Sequence, residues 1–141
     1  MRTPLQQEIG HTERTLAALL AERVLADSPF ASMAEWVVAN TLSAGPSAIA
    51  DLRNAVVARS RDVDVALERM SVVGLLVREG GRVRLSDEGR AALHAARVKT
   101  SYVASRIDDA VSATGRDAAV RVLATVRQIA TGLRESGIPV G

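Results

Sequence analysis

The segment VDVALERMSVVGLLVREGGRVRLSDEG, residues 63–89, constrains the fold more than any other part of this chain. Val63, Ala66, Leu67, Met70 and Gly74 recur at a 3.6-residue period, which predicts an amphipathic helix with those positions inward. Arg61, Val65, Glu68 and Val72 fall on the opposite face, flanked by Asp64 and Arg69. Gly80-Gly81 then supplies a two-residue hairpin turn, which pairs Glu79 with Arg82 and Leu76 with Leu85. One face of the hairpin holds Leu76, Arg78, Val83 and Leu85, and the other holds Val77, Glu79, Arg82 and Arg84. A hairpin this short is barely stable alone. Its apolar face must therefore lie on helices, which leaves Arg82 and Arg84 outward. Ser86 can cap the helix that follows.

The remainder reads as helices. Thr3-Pro4-Leu5-Gln6 has the form of a capping box with Pro at the first helical position. The helix it starts carries Ile9, Leu16, Leu19, Leu20 and Val24, and stops near Asp27-Ser28-Pro29. Ser32-Met33-Ala34-Glu35 is a second capping box, opening a helix with Trp36, Val37, Thr41 and Leu42 that ends at Gly45-Pro46. Ser47 is expected to cap a third helix with Ile49, Leu52, Val56 and Val57 inward, and Ser60 a fourth, the amphipathic one above. A long helix from Ser86 to about Val111 has Ala91, Ala92, Ala95 and Ala96 for close helix contact. Thr114-Gly115-Arg116-Asp117 looks like the start of a last helix with Val120, Leu123, Val126, Ile129, Ala130 and Leu133.

Composition narrows the classes. A chain of 141 residues suffices for one domain with a core, and there is neither an internal repeat nor a linker. Trp36, Tyr102 and Phe30 are the only aromatics, so the core must be built from Ala, Val and Leu. Their scarcity also argues against single-stranded nucleic-acid binding, which needs stacking platforms. There is no Cys, hence no disulfide framework and no thiolate metal site. His11 and His94 are far apart and read as surface or packing residues. No nucleophile–base set, paired acids or phosphate loop is visible, so an enzyme is disfavoured and no cofactor is expected. No apolar run is long enough for a membrane span. The N-terminus lacks the apolar core of a signal peptide, which points to the cytoplasm.

The order helix, strand, turn, strand, helix is that of a recognition helix and wing. The expected fold class is mainly α with a small β-hairpin: a winged helix-turn-helix flanked by N- and C-terminal dimerisation helices. The net charge is only +2, and all the positive side chains but Lys99 are Arg. A GC-rich genome would also enrich Arg, Ala and Val, so placement tells more than number. Between Leu52 and Arg84 lie seven Arg (Arg53, Arg59, Arg61, Arg69, Arg78, Arg82, Arg84) against four acids, a local excess of +3. The excess sits where a DNA-reading unit would need it.

Ile49-Ala50-Asp51-Leu52, then Leu67-Glu68-Arg69-Met70 with Gly74-Leu75-Leu76-Val77, then Arg82-Val83-Arg84-Leu85-Ser86-Asp87-Glu88-Gly89 resemble the third helix, recognition helix and wing of the MarR family of bacterial transcriptional regulators. The flanking helices fit that family in number, length and order. The resemblance implies one domain over 1–141, with the winged helix-turn-helix over about 30–90 and dimerisation helices over about 4–27 and 87–136. It implies an obligate homodimer on a palindromic operator in double-stranded DNA, a repressor released by a small aromatic or lipophilic effector. The sequence departs from the family at Asp64 and Val65, where Thr or Ser followed by a polar residue is usual, and in its wing loop, shortened to Gly80-Gly81.

Roles follow as expectations. DNA contact is assigned to Arg53, Arg59, Ser60, Arg61, Asp64, Val65, Arg69, Arg78, Arg82 and Arg84. Arg61 can reach guanine and Val65 a thymine methyl, while Arg69, Arg82 and Arg84 are expected on phosphates. Arg61, three residues from Asp64, is placed to neutralise it. Trp36, Asn40 and Tyr102 are expected to border an effector cleft, although aromatics such as Trp36 and Tyr102 are more often packing anchors than ligand-stacking residues. The stripes Leu16-Leu19-Leu20 and Leu123-Val126-Ile129 are expected at the dimer interface. A second reading is a winged-helix dimer that has lost DNA reading and acts through protein–protein interaction, as Asp64 and the short wing allow.

Overall fold

The structure, a computed structural model, describes residues 4–56 and 60–139. The chain falls into two compact units, Met1–Thr100 and Ser101–Gly141. In the first, helix α1 (Leu5–Leu20) runs on into a π-helical turn at Ala21–Leu25. Helix α2 (Met33–Leu42), strand β1 (Ser47–Ala48), helix α3 (Ile49–Ala55) and helix α4 (Ser60–Val72) follow. The hairpin strands β2 (Leu76–Glu79) and β3 (Arg82–Leu85) lead into helix α5 (Asp87–Ala110).

The amphipathic period in residues 63–70 is realised in α4: Val63, Ala66, Leu67 and Met70 are buried against Val38 and Leu42 of α2 and Leu52 of α3. The hairpin has the register its two-glycine loop dictates, with Leu76 opposite Leu85 and Glu79 opposite Arg82. Gly80 takes φ 64°, a left-handed value that costs other residues a Cβ clash. Leu76, Val83 and Leu85 seal the core from the sheet side.

Several local expectations are corrected. Ser47 does not cap α3: Ser47 and Ala48 pair with Val83 and Arg82 as a third antiparallel strand, in sheet order β1-β3-β2, and α3 starts at Ile49 without a side-chain cap. Gly74 is exposed, at φ 83° just past α4, and not on its inner face. The Ser32 cap forms, with Ser32 Oγ accepting from Glu35 N–H at 3.2 Å. The Glu35 carboxylate, however, accepts from Ala31 N–H and not from Ser32 N–H. Pro4 stands one position before α1 and accepts from Gln7 and Glu8 N–H through its carbonyl. Thr3 and Val57 lie outside the described residues.

Ser86 ties the wing to α5. Its Oγ accepts from Gly89 N–H at 3.0 Å, capping the helix, and donates to the Gly74 carbonyl at 2.5 Å. Gly89 then packs on the Leu75 carbonyl, where a Cβ would come within 2.2 Å of the oxygen.

The second unit contains the end of α5 and helix α6 (Ala113–Ser136). The cap of α6 is Ser112, accepting from Gly115 N–H at 3.0 Å, so the helix starts ahead of the expected Thr114 box. No described helix is long and apolar enough to cross a membrane.

Candidate nucleic-acid interface

With one side of α4 committed to the core, the other presents Arg61, Asp62, Asp64, Val65, Glu68 and Val72. All are exposed, Val65 to 62% and Val72 to 77%. Exposed β-branched residues in a helix gain nothing from packing or propensity. Val65 therefore fits a surface that a partner covers. Arg59 lies outside the described residues, and Ser60 enters only as the first residue of α4.

Asp64 is neutralised by a residue other than the expected one. Arg53 of α3 reaches it across the helix pair, with Nε at 2.8 Å and Nη2 at 2.7 Å from the same oxygen, Oδ1. Arg61 makes no ion pair with a described residue.

Arg69 has a different place from the phosphate-facing one expected. Its Nη1 lies 2.7 Å from Glu35 Oε1, and both its terminal nitrogens donate to the Pro29 carbonyl at 3.3 and 3.1 Å. Glu35 is 2% exposed. The pair clamps α4 to the start of α2.

On the wing, Arg84 Nη2 lies 3.4 Å from Glu79 Oε1, a long contact between exposed groups, and Arg82 Nη2 reaches the Pro46 carbonyl at 3.4 Å. Arg78 is exposed at the wing's far end. Arg53 and Arg61 are thus exposed on α3 and α4, Arg78, Arg82 and Arg84 lie on the wing, and Arg69 ties α4 to the start of α2.

Of the expected effector residues, Trp36 and Asn40 belong to the first unit and Tyr102 to the second. Trp36 packs at the core margin, edge-on to Phe30 with ring centroids 6.0 Å apart. Asn40 donates to the Trp36 carbonyl, while its Oδ1 accepts from Arg97 Nε and Nη2 at 3.1 and 2.8 Å. Tyr102 belongs to the second unit and is 67% exposed. A cleft of about 370 Å³ lies elsewhere in the first unit. Leu42, Pro46, Leu85 and Leu93 give it an apolar floor, and Arg84, Arg90, His94 and Arg97 give it a basic rim. Sequence reasoning missed this rim. The available signal was the helical spacing of Arg90, His94 and Arg97 along α5, which puts three basic groups on one face.

No protein-family model and no curated protein sequence matches the chain. Solved structures do. A probable transcriptional regulator from Pseudomonas aeruginosa superposes with a TM-score of 0.72 at 20% identity, over 86% of this chain and 96% of that one. Bordetella bronchiseptica BpsR, whose DNA binding is regulated by 6-hydroxynicotinic acid, gives 0.69 at 19% identity, over 91% and 99%. The Mycobacterium tuberculosis MarR family protein Rv2887, solved in complex with DNA, gives 0.66 at 19% identity, over 89% and 98%. The chain has the winged-helix fold of MarR-family transcriptional regulators.

Proposed function

We propose that this MarR-type winged-helix protein is a cytoplasmic, sequence-specific DNA-binding transcriptional regulator. In this reading it acts as a homodimeric repressor on a palindromic operator and is released by a small ligand. The observation that carries the proposal is the division of α4. Its inner face is sealed by α2 and α3, while Arg61 and Val65 stay exposed on either side of Asp64, which Arg53 of α3 reaches. A helix held this way can lie in a major groove, with Arg61 on guanine and Val65 against a thymine methyl. Arg53, Arg78, Arg82 and Arg84 would then contact phosphates. The DNA complex of Rv2887 supports the placement by fold likeness.

For the ligand, regulation of BpsR by 6-hydroxynicotinic acid supports a small aromatic acid as effector. The cleft edged by Arg84, Arg90, His94 and Arg97 has the charge to hold such a group, and Asn40 accepts from its Arg97. Trp36 is a proposed contact on the resemblance. Tyr102 remains a proposed contact on the resemblance alone.

A second reading is a winged-helix dimer that acts through protein partners. It is favoured by the acids Asp62, Asp64 and Glu68 on the exposed side of α4, against Arg61 alone. Binding to random duplex DNA as a function of salt separates the two. A regulator loses affinity steeply, with log K falling against log salt by about 0.9 for each phosphate contact. Arg82→Ala should lower that slope by about one and weaken all sequences alike. Negligible binding at low salt would favour the protein-partner reading.

A further inference from the structure

Among the described side chains, the Arg53–Asp64 pair leaves half of a carboxylate unused. Arg53 Nε and Nη2 converge on Oδ1, and no described side chain donates to Oδ2. Side-chain exposures of 44% and 49% put the pair on the surface, beside Arg61 and Val65. Exposed pairs of this kind contribute little to folding. An acid at this position also opposes a phosphate backbone, so it lowers affinity for DNA in general.

A carboxylate oxygen can only accept. In the major groove, the base donors are the N4 amine of cytosine and the N6 amine of adenine, and Asp or Glu pairs with the former. Adenine offers an acceptor, N7, beside its donor, and a carboxylate is repelled by it. We propose that Asp64 is a specificity-determining residue whose Oδ2 accepts from the N4 amine of a cytosine, with Arg53 as the positioning residue that orients the carboxylate and offsets its charge. The inference rests on the DNA-binding reading above and gives Asp64 a role opposite in sign to that of the arginines. Facing its cytosine, Asp64 gains a hydrogen bond. Facing guanine or thymine, which offer no donor in the major groove, it leaves only repulsion. It therefore raises the ratio of specific to random binding while lowering random binding itself.

The experiment is selection from a duplex library randomised at its centre, with full-length wild type, Asp64→Asn, Asp64→Ala and Arg53→Ala. Salt titrations on the selected and on random duplex follow. The wild type should select cytosine at one position of the motif. Asp64→Asn should lose that preference by roughly tenfold, shift toward guanine, because Arg53 holds the amide oxygen and leaves the amide NH2 to donate to O6 or N7, and bind random duplex more tightly. Asp64→Ala should lose the cytosine preference without gaining one for guanine. Arg53→Ala should weaken both kinds of binding and blunt the same cytosine preference, which an arginine that only contacts phosphate would not do. Asp64 variants with the wild-type preference at every position would overturn the proposal and leave the DNA-binding reading standing. A wild type without salt-dependent duplex binding would overturn both.

Discussion

Glu35 is the charged side chain sealed in the core among the described residues, and it fixes what Arg69 is for. A buried carboxylate without its cation is strongly destabilising, because water no longer solvates it. Arg69 is itself partly exposed, which softens the penalty. Arg69→Ala should therefore lower stability by about 3 kcal/mol, read as a shift in the urea midpoint at constant slope. Adding Glu35→Gln should recover much of the loss. An arginine on phosphate would behave otherwise, with stability near wild type and a salt slope lower by about one. Such pairings were not legible in the sequence. Arg69 and Glu35 are 34 positions apart, and Arg53 and Asp64 are 11 apart. Helical spacing suggested Arg61 for Asp64 because it sees only neighbours on one helix. The α3–α4 packing brings in a competitor that periodicity cannot register.

At the scale of elements, the legible parts are those where a local rule leaves one solution. Two glycines between alternating strands fix the register of β2 and β3, since a one-residue slip would turn Leu76, Val83 and Leu85 to solvent. Ser86 before an acidic first turn marks the start of α5. Strand β1 was not legible, because two residues carry no alternation, and Ser47 reads equally well as a cap. Ser112 was masked by the more box-like Thr114 two residues on. The junction of wing and α5 depends on Gly89 having no side chain. The Leu75 carbonyl that a Cβ would strike also accepts from Ser86 N–H at 3.0 Å, so it cannot move aside freely. Gly89→Ala should cost about 2–3 kcal/mol through overpacking, despite the better helix propensity of Ala. Thermal unfolding checks this, and a variant as stable as wild type would mean that the wing is not seated on α5 as described.

For the whole molecule, the apolar residues left uncovered say most about its working state. Helix α1 has no buried residue, and Leu16 and Leu19 are 44% and 36% exposed. Helix α6 likewise has none: Leu123 is 42% exposed and Ile129 59%, with Val126 half-buried. Both stripes recur at helical spacing, which solvent-facing helices have no cause to maintain. Covering each large aliphatic side chain is worth about 2 kcal/mol, and a second copy of the chain is the partner that closed symmetry favours. The expected outcome is a dimer at concentrations on the order of micromolar, a Kd that corresponds to about 8 kcal/mol. Light scattering gives the mass directly. Leu123→Asp with Ile129→Asp puts two carboxylates into the stripe and should dissociate the dimer or unfold the chain. The same pair of changes should weaken operator binding far more than random-duplex binding, because only a dimer engages two half-sites together. A wild type that stays monomeric and stable would overturn the dimer, and with it the palindromic operator.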